Sequence, residues 1–188
     1  FRAPSLRICI CGGAPLPVDL QDRWAEATGV ELRQGYGLTE ASPIALCNNL
    51  PAANRRGTLG VPFPGVRVSI RDPERSEPLG RGSEGEICIA GETVFRGYVS
   101  GGRDGLQVRD GWLHTGDLGV ENADGSFSFR GTLKSMLTHN GLNVYPREVE
   151  RVIGAMPGVR AARVFGVPDR ASGHEVMAEV VVDVAGAV

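Results

Sequence analysis

The spacing of apolar and polar positions changes character three times along the chain. Residues 6–11 form a short apolar run closed by Gly12-Gly13-Ala14-Pro15 and read as a strand. Residues 17–28 carry apolar side chains at helical spacing, with Leu20, Trp24 and Ala27 as the stripe expected to be buried. Pro17 suits the first turn of that helix and Gly29 its C-terminal cap. Residues 30–33 then start a second strand, so the opening predicts a strand–helix–strand unit with parallel strands.

From residue 57 to residue 131 the period drops to two. Short alternating runs at 66–70, 86–90 and 126–129 are separated by Gly, Pro and Asp clusters, the pattern of a small antiparallel sheet or barrel. At Pro146 the helical period returns through Val149, Val152, Ile153 and Met156, predicting a short helix that ends before Gly158. Strands at 159–166 and 175–182 would flank it in an α+β unit. A boundary is expected near residues 130–135, and no internal repeat is present.

Composition narrows the function classes. The 188 residues are 41% apolar, enough for a core, and carry 20 Lys+Arg against 22 Asp+Glu, a net charge of −2. Charge is flat along the chain, with 14 basic and 16 acidic residues up to Arg130 and 6 of each beyond it. No basic block marks a nucleic-acid or anionic-membrane surface. No apolar run approaches the ~20 residues of a membrane helix, and no signal-peptide pattern opens the chain, so a cytoplasmic location is expected. Cys9, Cys11, Cys47 and Cys88 include no C-x-x-C pair, and free buried thiols in a reducing compartment are the simplest reading. Nineteen basic residues are arginine and the one lysine is Lys134. The apolar run 176–184 stops just short of the last residue, which leads to the expectation that this is part of a longer polypeptide.

Three segments carry candidate chemistry. Gln34-Gly35-Tyr36-Gly37-Leu38-Thr39-Glu40 follows the second predicted strand. Its glycines allow close backbone approach to a ligand, and Thr39 and Glu40 offer a hydroxyl for a phosphate oxygen and a carboxylate for Mg²⁺. Trp112-Leu113-His114-Thr115-Gly116-Asp117 places a carboxylate after a glycine turn, expected at a strand end, where it could hold ribose hydroxyls. Gly131-Thr132-Leu133-Lys134-Ser135, followed by Asn140-Gly141 and the proline-initiated helix, reads as a hinge into a small domain. His114, His139 and His174 are scattered and do not read as a metal site.

Taken in this order, with Gly12-Gly13-Ala14-Pro15 ahead of them, these segments resemble the adenylate-forming enzymes. That family spans acyl-CoA synthetases, luciferase and peptide-synthetase adenylation domains, and the resemblance is nearest to fatty-acyl or aryl-acid CoA ligases. It implies ATP, Mg²⁺ and CoA as cofactors, a carboxylic acid substrate, an acyl-adenylate intermediate and a thioester product. Gly13, Ala14 and Pro15 would line the adenine pocket, with Gly35, Tyr36 and Gly37 beside it. Thr39 would contact the α-phosphate, Glu40 the Mg²⁺ and Asp117 the ribose. Lys134 would be the pivot between half-reactions and Gly141 would line the pantetheine tunnel. Residues 1–130 would then be the end of the large domain, 131–135 the hinge and 136–188 the start of the small domain.

Departures from the family pattern bear on activity. Thr132 stands where an arginine usually contacts nucleotide, with Arg130 on the same strand face, so Thr132→Arg in a complete protein is expected to lower the KM for ATP. The family's Ser/Thr/Gly-rich phosphate loop and its C-terminal lysine are not among these residues, and the chain alone is expected to be inactive. Two other readings are a loader of a carrier protein's phosphopantetheine arm and a degenerate, non-catalytic homologue.

Overall fold

A computed structural model describes residues 4–48, 52–99 and 107–183. The chain forms two compact units, residues 1–130 and 131–188. The class is mixed α+β, dominated by short strands.

The first unit opens with β1 (Cys9–Cys11), α1 (Val18–Thr28) and β2 (Leu32–Tyr36), and β1 pairs with β2 in parallel. Pro17 occupies the N-cap of α1, and Gly29, at φ 73°, donates its N–H to Ala25 O at 2.8 Å to close the helix. The predicted apolar stripe is not what this helix buries here. Leu20 is 40% exposed and Ala27 is exposed, while Gln21 is sealed in. Gln21 is the buried residue because its amide satisfies backbone on two other segments. It donates to Leu32 O at 2.9 Å and accepts from the Gly57 N–H at 3.2 Å.

β3 (Leu46–Cys47) and β4 (Val61–Pro62) extend this sheet in the order β1-β2-β3-β4. A second sheet is built from β5 (Val66–Arg71), β6 (Glu84–Gly91), β7 (Gln107–Arg109), β8 (Trp112–Glu121) and β9 (Phe127–Thr132). Its order is β5-β6-β8-β7 with β9 also on β8, and its mapped pairs are antiparallel. Asp110 and Gly111, at φ 50° and 78°, make the two-residue turn joining β7 to β8. The sheet curls until β9 meets the first sheet: Leu59 N–H donates to Phe127 O at 2.7 Å and Phe127 N–H to Gly60 O at 2.8 Å. Both faces of β6 are covered, which is why residues 85–90 are all buried. Ile89 and Leu113 pack with Ala41, Ala45 and Val66, and Ile70, Ile87 and Phe127 pack with Leu46 and Leu59.

The second unit holds β10 (Leu137–His139), β11 (Leu142–Val144), α2 (Pro146–Gly154), β12 (Val159–Asp169) and β13 (Gly173–Val182). The sheet order is β11-β10-β13-β12, antiparallel throughout, and α2 packs against β12. Asn140 and Gly141, at φ 50° and 77°, form the β10–β11 turn. Pro146 starts α2 as expected, but Val152 and Met156 of its predicted stripe stay exposed. The far end of the apolar run 176–184 lies outside the described residues.

Candidate adenylate site

The first segment singled out in the sequence does not follow a strand; it begins inside one. Gln34, Gly35 and Tyr36 belong to β2, one to three residues beyond the 30–33 expected, because pairing with β1 reaches Gln34 and pairing with β3 reaches Tyr36. The Gln34 amide donates to Ala14 O at 3.4 Å, and a Cβ on Gly12 would lie 3.1 Å from Gly35 O. The Gly12–Pro15 loop and β2 are thereby held edge to edge, with Gly13 at φ 83° and the loop open to solvent.

Past Tyr36 the chain folds back at once. A Cβ on Gly37 would sit 1.8 Å from Pro43 O, so only glycine fits the approach. Thr39–Ala41 form a single 3-10 turn whose N-cap is Leu38, with no side chain capping it. Thr39 is exposed at the start of this turn rather than serving as a cap. The Phe95 N–H donates to Glu40 O at 2.8 Å, and the Tyr98 hydroxyl donates to Glu40 Oε1. Among the described residues no basic side chain pairs with Glu40. A carboxylate without a cation, next to an exposed hydroxyl, is an all-oxygen donor set that suits Mg²⁺.

Asp117 is not at a strand end. It lies mid-way along β8, where the register with β6 jumps from Cys88↔His114 to Glu86↔Leu118. The jump leaves extra residues on β8, and Gly116 absorbs it at φ 73°. Thr115 Oγ1 donates to Ile87 O at 2.7 Å and accepts from the Asp117 N–H at 3.1 Å, stitching the bulge. The bulge turns Asp117 toward β2, and the Tyr36 hydroxyl donates to Asp117 Oδ2 at 2.7 Å. Burial pushes the Asp117 carboxyl above the usual carboxylate range; the Tyr36 hydrogen bond opposes this and the Glu86 charge adds to it. Burial, and then the neighbouring Asp117 charge, hold the Tyr36 hydroxyl well above its ordinary value.

The structure therefore brings together Gly13, Ala14, Pro15, Gly35, Tyr36, Gly37 and Asp117, with Thr39 and Glu40 on the following turn. Lys134 and Gly141 belong to the second unit. Lys134 is exposed in a 3-10 turn, Leu133–Ser135, and Gly141 is exposed at the β10–β11 turn. Thr132, before that turn, shares a 2.8 Å hydrogen bond with the Ser135 hydroxyl.

Three further residues, Glu86, His114 and Ser76, support this arrangement from behind. Glu86 and His114, each 3% exposed, join at 2.6 Å between Oε2 and Nδ1. Ser76 Oγ lies 2.9 Å from His114 Nε2. His114 stands within the Trp112–Asp117 motif, and the signal was its place there, not a metal-ligand spacing. Cys88 Sγ is 3.5 Å from the same Nδ1, its thiol pushed up to about 12 chiefly by burial.

Beside β2 a cavity of about 200 Å³ is lined by apolar side chains, among them Ile10, Ile44, Val61 and Phe63, with Cys47. A Cβ on Gly35 would lie 3.5 Å from Ile10 Cγ2, so Gly35 faces the side chain that lines this cavity.

A loop, an aromatic strand end and a bulged carboxylate thus lie together in the first unit. The family model for AMP-binding enzymes matches residues 2–99, just over half of the chain, and the chain belongs to that family. A feruloyl-CoA synthase of Amycolatopsis sp is 41% identical over 167 residues, covering 88% of this chain and 34% of that protein. A long-chain-fatty-acid–CoA ligase of Bacillus subtilis is 36% identical over 182 residues, covering 96% of this chain and 32% of that protein. The ATP-bound crystal structure of MatB from Rhodopseudomonas palustris superposes with a TM-score of 0.83 at 36% identity, over 95% of this chain and 36% of that one. The chain thus spans about a third of the length of the curated relatives it matches.

Proposed function

We propose that this chain supplies the adenosine-binding and hinge parts of an ATP-dependent carboxylic acid:CoA ligase. Residues 1–130 are the end of its large domain, 131–135 the hinge and 136–188 the start of its small domain. The observation that carries the reading is the juxtaposition of Tyr36 with Asp117 beside the Gly13–Pro15 loop. An aromatic ring, a loop of backbone and a carboxylate with one oxygen already oriented suit the adenine and the ribose diol of one nucleoside. The kinship with CoA ligases, and ATP-bound and acyl-adenylate-bound structural neighbours, support the same assignment.

In this reading Gly13, Ala14 and Pro15 line the adenine pocket and Tyr36 sets its aromatic wall. Asp117 accepts from the ribose hydroxyls, its second oxygen fixed by Tyr36, so the diol meets an acceptor that is already aimed. Thr39 donates to the α-phosphate. Glu40, whose carboxylate pairs with no cation among the described residues, would hold Mg²⁺. When bound, that ion offsets charge growing on the phosphate as the carboxylate substrate attacks. The acid attacks phosphorus, the bond to pyrophosphate breaks and an acyl-adenylate forms; a CoA thiol then displaces AMP. Lys134 is the pivot between the two steps and Gly141 borders the thiol's path. The apolar cavity beside Gly35 favours an acid with a fatty or aryl body. Four free cysteines suit a reducing cytoplasm.

The test is mass-spectrometric product analysis of the complete protein with Mg-ATP, CoA and a panel of fatty and aryl acids. Acyl-CoA with AMP is the expected result. Acyl-adenylate without thioester moves the acceptor to a carrier protein. Neither product with any acid overturns the reading in favour of a non-catalytic homologue.

A further inference from the structure

The Glu86 carboxylate is the oddest group in the first unit. It is 3% exposed, and among the described residues its side chain pairs with no arginine or lysine. A buried carboxylate is costly, and a well-packed apolar residue would serve stability as well or better. Both of its oxygens are nevertheless committed. Oε2 faces His114 Nδ1 at 2.6 Å, and Oε1 accepts from the Gly116 N–H at 2.8 Å. Gly116 is the left-handed residue at the bulge, where the register jump removes the strand partner its N–H would otherwise have. The carboxylate stands in for that missing ladder acceptor.

His114 is fixed in turn. A carboxylate only accepts, so Nδ1 carries the proton, and in the neutral ring Nε2 accepts from the Ser76 hydroxyl at 2.9 Å. Ser76 is itself held at φ 62° by the turn in which Asp72 Oδ1 accepts from the Glu74 and Arg75 N–H groups. A continuous chain of hydrogen bonds therefore runs from the 72–76 turn through His114 and Glu86 to the Gly116 N–H. The next residue is Asp117, bonded to Tyr36. The same trio of Glu86, Cys88 and His114 has metal-ligating atoms close together. The Glu86–His114 contact, though, has the length of a strong hydrogen bond.

We propose that Glu86, oriented by His114 and Ser76, is a positioning residue that holds the Gly116 bulge and thereby aims the Asp117 carboxylate at the ribose diol. The proposal rests on the reading of Asp117 as the ribose ligand given above. Glu86 touches no substrate. Its effect is confined to the part of nucleotide recognition that depends on the 2′ and 3′ hydroxyls.

That confinement makes it testable in the complete protein, by comparing kcat/KM for ATP with that for 2′,3′-dideoxy-ATP. The native enzyme is expected to prefer ATP by roughly tenfold, the scale of a charge-assisted hydrogen bond. Asp117→Ala abolishes the preference; a preference left intact there overturns the ribose reading itself. Glu86→Leu is expected to cut the preference at least threefold while the KM for the acid stays within twofold. Glu86→Gln, which keeps an acceptor at Oε1, restores most of it. A folded Glu86→Leu enzyme with native preference, beside an Asp117→Ala enzyme that has lost it, overturns the positioning role alone. If the leucine variant does not fold, Glu86→Asp makes the same comparison by withdrawing the carboxylate one methylene from Gly116. An unchanged preference in that variant is equally fatal.

Discussion

Tyr36 and Asp117, 81 residues apart in sequence, meet through a 2.7 Å hydrogen bond from the phenol to the carboxylate. The contact joins the end of a parallel-paired strand to a bulge in an antiparallel sheet. Two segments that look independent in the sequence thus become one site. The geometry assigns the donor, because the Asp117 carboxylate can only accept and burial keeps the Tyr36 phenol protonated.

Removing that donor should therefore be felt twice. Tyr36→Phe leaves Asp117 Oδ2 without its partner in a half-buried setting, at a cost of about 1–3 kcal/mol in folding stability. The Asp117 pKa, already raised, should climb further because the one cause lowering it through Tyr36 is gone. Denaturant melts would give the first effect and a carboxyl-resolved NMR titration the second. An unchanged titration would show that Tyr36 does not bear on the carboxylate.

Glycines 35 and 37 stand two residues apart and should behave oppositely. A Cβ at Gly37 would collide with backbone, 1.8 Å from Pro43 O and 2.9 Å from Ile44 Cα. Gly37→Ala should cost about 3 kcal/mol or more and disturb the turn that carries Thr39 and Glu40. At Gly35 the nearest atom is a side-chain methyl at 3.5 Å, an ordinary contact. Gly35→Ala should stay within about 1 kcal/mol of native stability. In the complete protein its methyl should shift acid preference toward smaller bodies, since Ile10 lines the cavity. Thermal melts and a substrate panel separate the two.

Local signals carried well where local physics decides. Pro17, Gly29 and Pro146 bracket helices because a fixed φ or a left-handed cap acts within a few residues. The apolar alternation of β5 and β6 predicted the antiparallel sheet. What the sequence hid depends on pairing between distant strands. The extent of β2 follows from its partners β1 and β3, and the Gly116 bulge exists only relative to β6. Glu86 and His114 were invisible for the same reason, since 28 residues separate a pair that only the strand register brings together. The stripe of α1 misled because helical spacing shows a face is apolar but not what covers it, and Leu20 remains open here.

The cysteines should divide sharply in reactivity. Cys88 is fully buried with its thiol pushed up to about 12 by burial, the Glu86 charge adding to the effect. At pH 8 its thiolate is then roughly one part in 10⁴. Cys9 and Cys11 are only half-buried. Alkylation of the native chain at pH 8, read by peptide mass, should label Cys9 and Cys11 at least about a hundredfold faster than Cys88. Cys47, raised by burial with Arg33 opposing, should fall between. Denaturant should bring Cys88 up to the others, and early labelling of Cys88 in the folded chain would contradict its place in the core.

Asp117 should be a residue that serves the ligand at the expense of the fold. Its carboxyl is raised by burial above the value it has in the unfolded chain, so between those two values the folded state binds the extra proton. Stability accordingly falls as pH rises through that interval, and the full desolvation cost persists at neutral pH. Asp117→Asn removes the charge and keeps an oxygen to accept from Tyr36. The variant should be more stable than the native chain at pH 7, by about 0.5–2 kcal/mol, with the advantage shrinking as pH drops toward the ordinary carboxylate range. Paired thermal melts from pH 4 to 8 would trace the gap. The same variant should lose nucleotide affinity in the complete protein, because a neutral amide is a weaker acceptor for a diol. A variant less stable than native at every pH would mean the folded state favours the charge, and the direction of the Asp117 shift would have to be reversed.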